Sequence, residues 1–78
     1  MNERARLRWH CRRGMKELDV LLERYLEQRY DAATPDERAA FETLLTLPDP
    51  QLLDYLTGRD APPDLSSLDV IEQLRAPR

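Results

Sequence analysis

The sequence predicts an all-α fold, a compact bundle of about five short helices. Three observations carry that expectation. Leu, Glu, Arg, Ala and Asp dominate the 78 residues, there are only two glycines, and no β-branched residues cluster. Apolar residues recur at the helical spacing i, i+3, i+4. Helix-starting and helix-stopping signals divide the chain at short intervals, which is how a bundle with short connections is written.

The first helix is expected from about Asn2 to Arg13. Asn2 suits the N-cap and Glu3 suits the positive end of the helix dipole. Leu7 and Cys11, four apart, give it a buried stripe. Gly14 tolerates positive φ and makes a natural corner. The second helix is expected from about Met15 to Tyr30, with Leu18, Leu21, Leu22, Tyr25 and Leu26 on its apolar face and Glu23 and Glu27 on the solvent side. Thr34-Pro35-Asp36-Glu37 is a capping box with Pro at the first helical position, and it opens the third helix. Ala40, Phe41, Leu44 and Leu45 form its inner face, and Leu47-Pro48 ends it. Asp49-Pro50 opens a fourth helix with Leu52, Leu53, Tyr55 and Leu56 as candidate core and Gly58 as its C-terminal stop. After the loop 59–63, Asp64 or a serine at 66–67 caps a last helix to about Arg75, with Leu68, Ile71 and Leu74 inward. Residues 76–78 are expected to fray. The whole of 1–78 reads as one domain.

A chain this short hides only about 60–65% of the surface its unfolded form exposes. A second core or a dinucleotide-binding domain does not fit. Charged residues at 35% and hydrophobic ones at 41% exclude collagen-like and membrane-span compositions and argue against disorder. The single cysteine excludes an intrachain disulfide and points to a reducing compartment. No run approaches 18 apolar residues, so no direct membrane insertion is expected. The N-terminus lacks the apolar region of a secretory signal. It is Arg-rich like a transit peptide, but the helical pattern runs straight out of it, so it reads as mature sequence.

The net charge of −3 is unevenly spread. Residues 1–16 carry six bases and one acid, and residues 17–78 carry six bases and fourteen acids. A basic end on an acidic body suggests a polarised binding surface. Arg4, Arg8 and Arg12 lie four apart on one stripe, with Arg6 and Arg13 alongside. Three readings stay open for them: a solvated helix face, a docking surface for an acidic protein, and nucleic-acid binding. The acidic remainder and the missing aromatic ladder weigh against the last.

Little here supports catalysis. His10 and Cys11 are the only residues of their kinds, so no other His or Cys can complete a metal shell and a zinc site is not expected. Cys11 reads as an inert core thiol and His10 as an ordinary histidine. The carboxylates read as solvated charge. No Gly-rich phosphate loop is present. Trp9 is the anomaly: it sits about 200° around the helix from Leu7 and Cys11 and cannot share their stripe. It either packs on another helix or forms part of a binding surface beside Arg13. Arg13 and Glu17 flank Gly14 and are spaced to salt-bridge each other or to face a partner. Val20 points away from the core face, as at a modest interface.

The stretch Trp9-His10-Cys11-Arg12-Arg13-Gly14-Met15-Lys16-Glu17-Leu18-Asp19 resembles the succinate dehydrogenase FAD assembly factor family (SdhE/YgfY-like), whose signature is R-G-x-x-E within W-x-x-R-R-G-M-x-E-L-D. The likeness extends through Tyr30-Asp31, Asp36-Glu37, Leu44-Leu45, Asp49-Pro50 and Asp54-Tyr55-Leu56, covering about residues 4–60. Tyr55 and Ala33 stand where the family often has Trp and Leu. The resemblance implies a cytoplasmic, chaperone-like factor that is not an enzyme. It implies promotion of covalent FAD attachment to the flavoprotein subunit of succinate dehydrogenase and, in some bacteria, of fumarate reductase. FAD would be the partner's cofactor, with none bound stably by this chain and no metal. Carried over by position, the partner-binding residues are Arg13, Gly14 and Glu17, with Trp9, Met15, Asp19, Arg8 and Arg12 as neighbours. A monomer that binds no nucleic acid is expected. The alternative is an antitoxin-like or cell-division regulator acting through a membrane or protein partner.

Overall fold

A computed structural model describes residues 2–75 of the chain. Five α-helices follow one another: α1 (Glu3–His10), α2 (Lys16–Gln28), α3 (Pro35–Leu44), α4 (Asp49–Thr57) and α5 (Leu65–Arg75). A short 3-10 turn, Tyr30–Ala32, joins α2 to α3. No strand occurs among the described residues. Residues 76–78, expected to fray, lie outside them.

The capping chemistry expected at three helix starts is present. Asn2 accepts from the Ala5 amide at 2.7 Å. Thr34 and Glu37 form both bonds of the capping box, each at 3.1 Å. Asp64 caps α5 through the Ser67 amide at 2.9 Å. α4 ends at Gly58, which takes the left-handed conformation that glycine adopts without steric cost.

α5 is the hub and packs on α2, α3 and α4. The core joins Leu7 and Cys11 of the first segment to Leu18, Leu22, Tyr25 and Leu26 of α2. Ala40, Phe41 and Leu44 of α3, Leu45 just after it, Leu52 of α4, and Val70, Ile71 and Leu74 of α5 complete it. Tyr25 stacks on Phe41 with ring centroids 4.5 Å apart, and Tyr30 tilts against the same ring at 5.9 Å.

Several expectations change. α1 stops at His10 rather than Arg13, because the chain tightens there. The Cys11 amide is shared between Leu7 and Arg8, and the Arg12 amide bonds back only three residues, to Trp9. α2 stops at Gln28, short of Tyr30. Arg38 reaches back to the Tyr30 and Asp31 carbonyls at 3.1 and 2.6 Å and ties the 3-10 turn to α3. On α5 the inward stripe is Ser67, Val70, Ile71 and Leu74, with Leu68 only half-buried. Both stripes obey helical spacing; packing against three helices selects the one centred on Val70. Leu21, Leu53, Tyr55 and Leu56 are half-buried rather than core.

Candidate functional site

α1 and α2 form an antiparallel hairpin. Arg8 donates to Glu27 at 2.6 Å, and at the corner the Arg13 amide donates to Asp19 Oδ1 at 2.7 Å. Gly14 makes the corner with φ +81°. A Cβ placed on Gly14 would meet no atom within 4 Å. The glycine is therefore required by the backbone angle and not by crowding within the chain, and its backbone faces open space.

Trp9, in the last turn of α1, is 68% exposed, and Val20 on α2 is 53% exposed. Leu65, at the start of α5, is the other large apolar side chain left in solvent among the described residues, at 79% exposed. Of the three, the indole of Trp9 is the largest apolar surface the fold leaves uncovered. Lys16, Glu17, Val20 and Leu21 line an open, largely apolar groove on the outer face of α2. Glu17 and Lys16 are exposed, and neither has a hydrogen-bond or ion-pair partner among the described residues. Met15 is half-buried and packs on the core from the other side of Gly14. Trp9, Gly14, Glu17 and Val20 thus flank one corner.

Arg13 points elsewhere. Its guanidinium runs under the α3–α4 connection and donates to the Leu47 carbonyl at 2.7 Å, to Asp49 Oδ1 at 2.9 Å and to the Leu45 carbonyl. Its Nε reaches the His10 carbonyl at 3.3 Å. Only 12% of the side chain is exposed. The anticipated Arg13–Glu17 pair does not form. The last turn of α3 is closed by the Leu45, Thr46 and Leu47 amides, which donate to the Phe41, Thr43 and Leu44 carbonyls. The Leu45 and Leu47 carbonyls that follow are met by Arg13, and Asp49 stands in the first turn of α4. Two sources of negative charge converge there, and the planar, permanently charged guanidinium satisfies both.

The basic stripe is largely neutralised within the chain. Arg4 pairs with Asp31 at 2.9 Å, Arg6 with Glu3 at 3.2 Å, Arg8 with Glu27 at 2.6 Å and Arg13 with Asp49 at 2.9 Å. Arg12 is exposed, off the end of α1, and with Lys16 supplies the unpaired positive charge at the corner. Two bases give a phosphate backbone little to hold, since that mode of binding scales with the charges neutralised. The charge suits a few carboxylates on a protein better.

Cys11 is wholly buried, and burial pushes its thiol up to about 12, with Glu23 adding to the shift. A thiol in that state is neither a nucleophile nor a ready metal ligand. His10 is exposed. Among the described residues, no three His, Cys, Asp or Glu side chains are placed to hold a metal ion, and no helix is long and apolar enough to cross a membrane.

Two members of this site were not singled out by sequence reasoning. Lys16 borders the groove; its place in the first turn after the corner was the available signal. Asp49 lies 36 residues from Arg13. Its carboxylate had a sufficient local explanation as a helix-start residue, so nothing local pointed to Arg13.

Residues 5–78 match the protein family described as flavinator of succinate dehydrogenase. The chain is 41% identical over 70 residues to the FAD assembly factor SdhE of Coxiella burnetii, covering 90% of this chain and 85% of that protein. It is 46% identical over 76 residues to the FAD assembly factor SdhE of Methylococcus capsulatus, covering 97% and 92%. It is 33% identical over 76 residues to the FAD assembly factor SdhE of Yersinia pseudotuberculosis, covering 97% and 86%.

Proposed function

This chain belongs to the family of flavinators of succinate dehydrogenase, and from that premise we propose how its surface serves the enzyme's flavoprotein subunit. It is an FAD assembly factor and not an enzyme, and FAD is the cofactor of its partner. The flavoprotein docks on the outer face of the α1–α2 corner. Trp9, Arg12, Gly14, Met15 and Glu17 meet it, and Val20 extends the apolar ground. Arg8 sits at the edge, held by Glu27. Arg13 and Asp19 shape the corner from within. The factor acts as a monomer in the cytoplasm.

The observation that carries this reading is the exposure of Trp9 beside an open corner. A bundle this small has few large apolar side chains to spare, yet its only tryptophan is 68% exposed. Tryptophan is prominent among the residues that dominate binding energy at interfaces. Gly14 leaves the backbone accessible there.

The bond-making chemistry belongs to the flavin and the flavoprotein. The factor holds the conformation in which the partner's reacting histidine and its flavin are aligned. To act and then leave, it must bind the unflavinylated form more tightly than the finished one, because a ligand shifts an equilibrium only by its differential affinity.

The test is covalent flavinylation. Apo flavoprotein subunit is mixed with FAD, with and without the chain, and protein-bound flavin fluorescence is read on a denaturing gel. Faster labelling is expected with the chain. Trp9→Ala is expected to weaken docking about thirtyfold, ~2 kcal/mol, and Glu17→Arg to abolish it. Equal labelling with and without the folded chain sinks the reading.

A further inference from the structure

Resting on that docking surface, we infer that Asp49 is a positioning residue for it, acting through Arg13 from the far side of the corner. The guanidinium has five N–H groups. Four are engaged inside the chain, by the Leu47, Leu45 and His10 carbonyls and by Asp49. A partner contacting Arg13 through its charge would have to break bonds that already satisfy it. The geometry suits a clamp instead. The Arg13 amide is held by Asp19 on α2, and its side chain is held by the α3–α4 connection. The residue is pinned at both ends, immediately before the one backbone angle that lets the chain turn.

The consequence falls on its neighbours. Arg12 and Met15 flank the Arg13–Gly14 unit, and Glu17 and Val20 follow within two turns of α2. Their directions depend on the angle at which α2 leaves the corner. Asp49 supplies the only carboxylate on the guanidinium among the described residues. The carboxylate adds charge to a hydrogen bond that a carbonyl makes only as a neutral dipole. Without it, Arg13 keeps its carbonyl partners but loses the charge-assisted one, and the corner loosens. Asp49 itself is 34 residues or more from the Trp9–Met15 segment in sequence and need not touch the flavoprotein.

Docking is measured by calorimetric titration of the full chain into apo flavoprotein subunit of succinate dehydrogenase, well below each variant's melting midpoint. Circular dichroism gives the folded fraction, so affinity is expressed per folded molecule. Asp49→Ala is expected to stay helical and to dock about tenfold more weakly, and Asp49→Glu to recover most of that loss. The double variant Arg13→Ala/Asp49→Ala is expected to be no weaker than Arg13→Ala alone, because the pair acts as a unit. Amide exchange at residues 12–16 is expected to quicken in Asp49→Ala while α5 stays protected. A merely structural role would lower the melting midpoint and leave the affinity of folded molecules unchanged. Asp49→Ala docking as well as the unaltered chain, or additive losses in the double variant, would overturn the proposal, since Arg13 would then meet the partner directly. Failure of the unaltered chain to dock would instead overturn the functional reading. Exchange at 12–16 then decides the clamp by itself, and unchanged rates sink it.

Discussion

Tyr25 is 2% exposed, and its hydroxyl has no hydrogen-bond partner among the described residues. Burial pushes its pKa up to about 12. The ring stacks on Phe41 and carries the packing, while the hydroxyl is desolvated without compensation. Tyr25→Phe keeps the ring and removes the orphan. It is expected to stabilise the fold by up to about 1 kcal/mol, read from urea unfolding midpoints; a loss of that size would show that the hydroxyl is satisfied in solution. Gly14 illustrates a different residue-scale constraint. Gly14→Arg looks from sequence like a clean way to block docking in a folded bundle. The φ of +81° changes that, because a side chain in the left-handed region costs about 1–2 kcal/mol. Trp9 and Glu17, which carry no such strain, separate docking from folding better.

At the scale of elements, the helix starts were legible because capping is local chemistry. Thr34-Pro35-Asp36-Glu37 announces α3 in four residues, and the structure contains both bonds of the box. The end of α1 was not legible. Nothing within residues 11–13 forbids another helical turn; the Arg13 amide leaves the helix for Asp19, and its guanidinium leaves for Leu45, Leu47 and Asp49. Asp64 gives a prediction at this scale. The Ser67 amide and hydroxyl hold its carboxyl below the ordinary carboxylate range. A depressed folded-state pKa means that the cap stabilises above the unfolded carboxylate value and is lost as pH falls through the folded one. Asp64→Ala should therefore melt earlier than the unaltered chain near neutral pH, and the two should converge in acid. A gap that persists at low pH would show that the cap's charge is not what stabilises α5.

For the whole molecule, stability rests on one small core. A bundle of this size rarely has more than about 3–5 kcal/mol to spare. Leu22 is fully buried in the middle of α2. Leu22→Ala is expected to cost ~2–5 kcal/mol, enough to unfold a large share of the molecules. The check is a thermal melt by circular dichroism, in which the cooperative transition should fall far below that of the unaltered chain or disappear. The surface ion pairs of α1 are worth less, since exposed pairs contribute about 0–1 kcal/mol each. Their larger effect is on recognition. By tying Arg4, Arg6 and Arg8 to acids, they turn a basic stripe in the sequence into a nearly neutral helix face. At the corner, Arg12, Lys16 and Glu17 keep charges that no ion pair within the described residues neutralises.

The sequence by itself determined the all-α class, the number and order of the helices, most of the core and the segment that carries the candidate site. Those properties follow from short-range rules: helical periodicity, capping, and the conformational limits of Gly and Pro. The exposure of Trp9 was left open by the sequence, and its surroundings decided it. The inward stripe of α5 was chosen by packing against three helices at once. The direction of Arg13 was chosen by carbonyls and a carboxylate that come from 32 to 36 residues away. A guanidinium goes where negative charge and unsatisfied carbonyls converge, and that place exists only after α3 and α4 have folded against the α1–α2 corner.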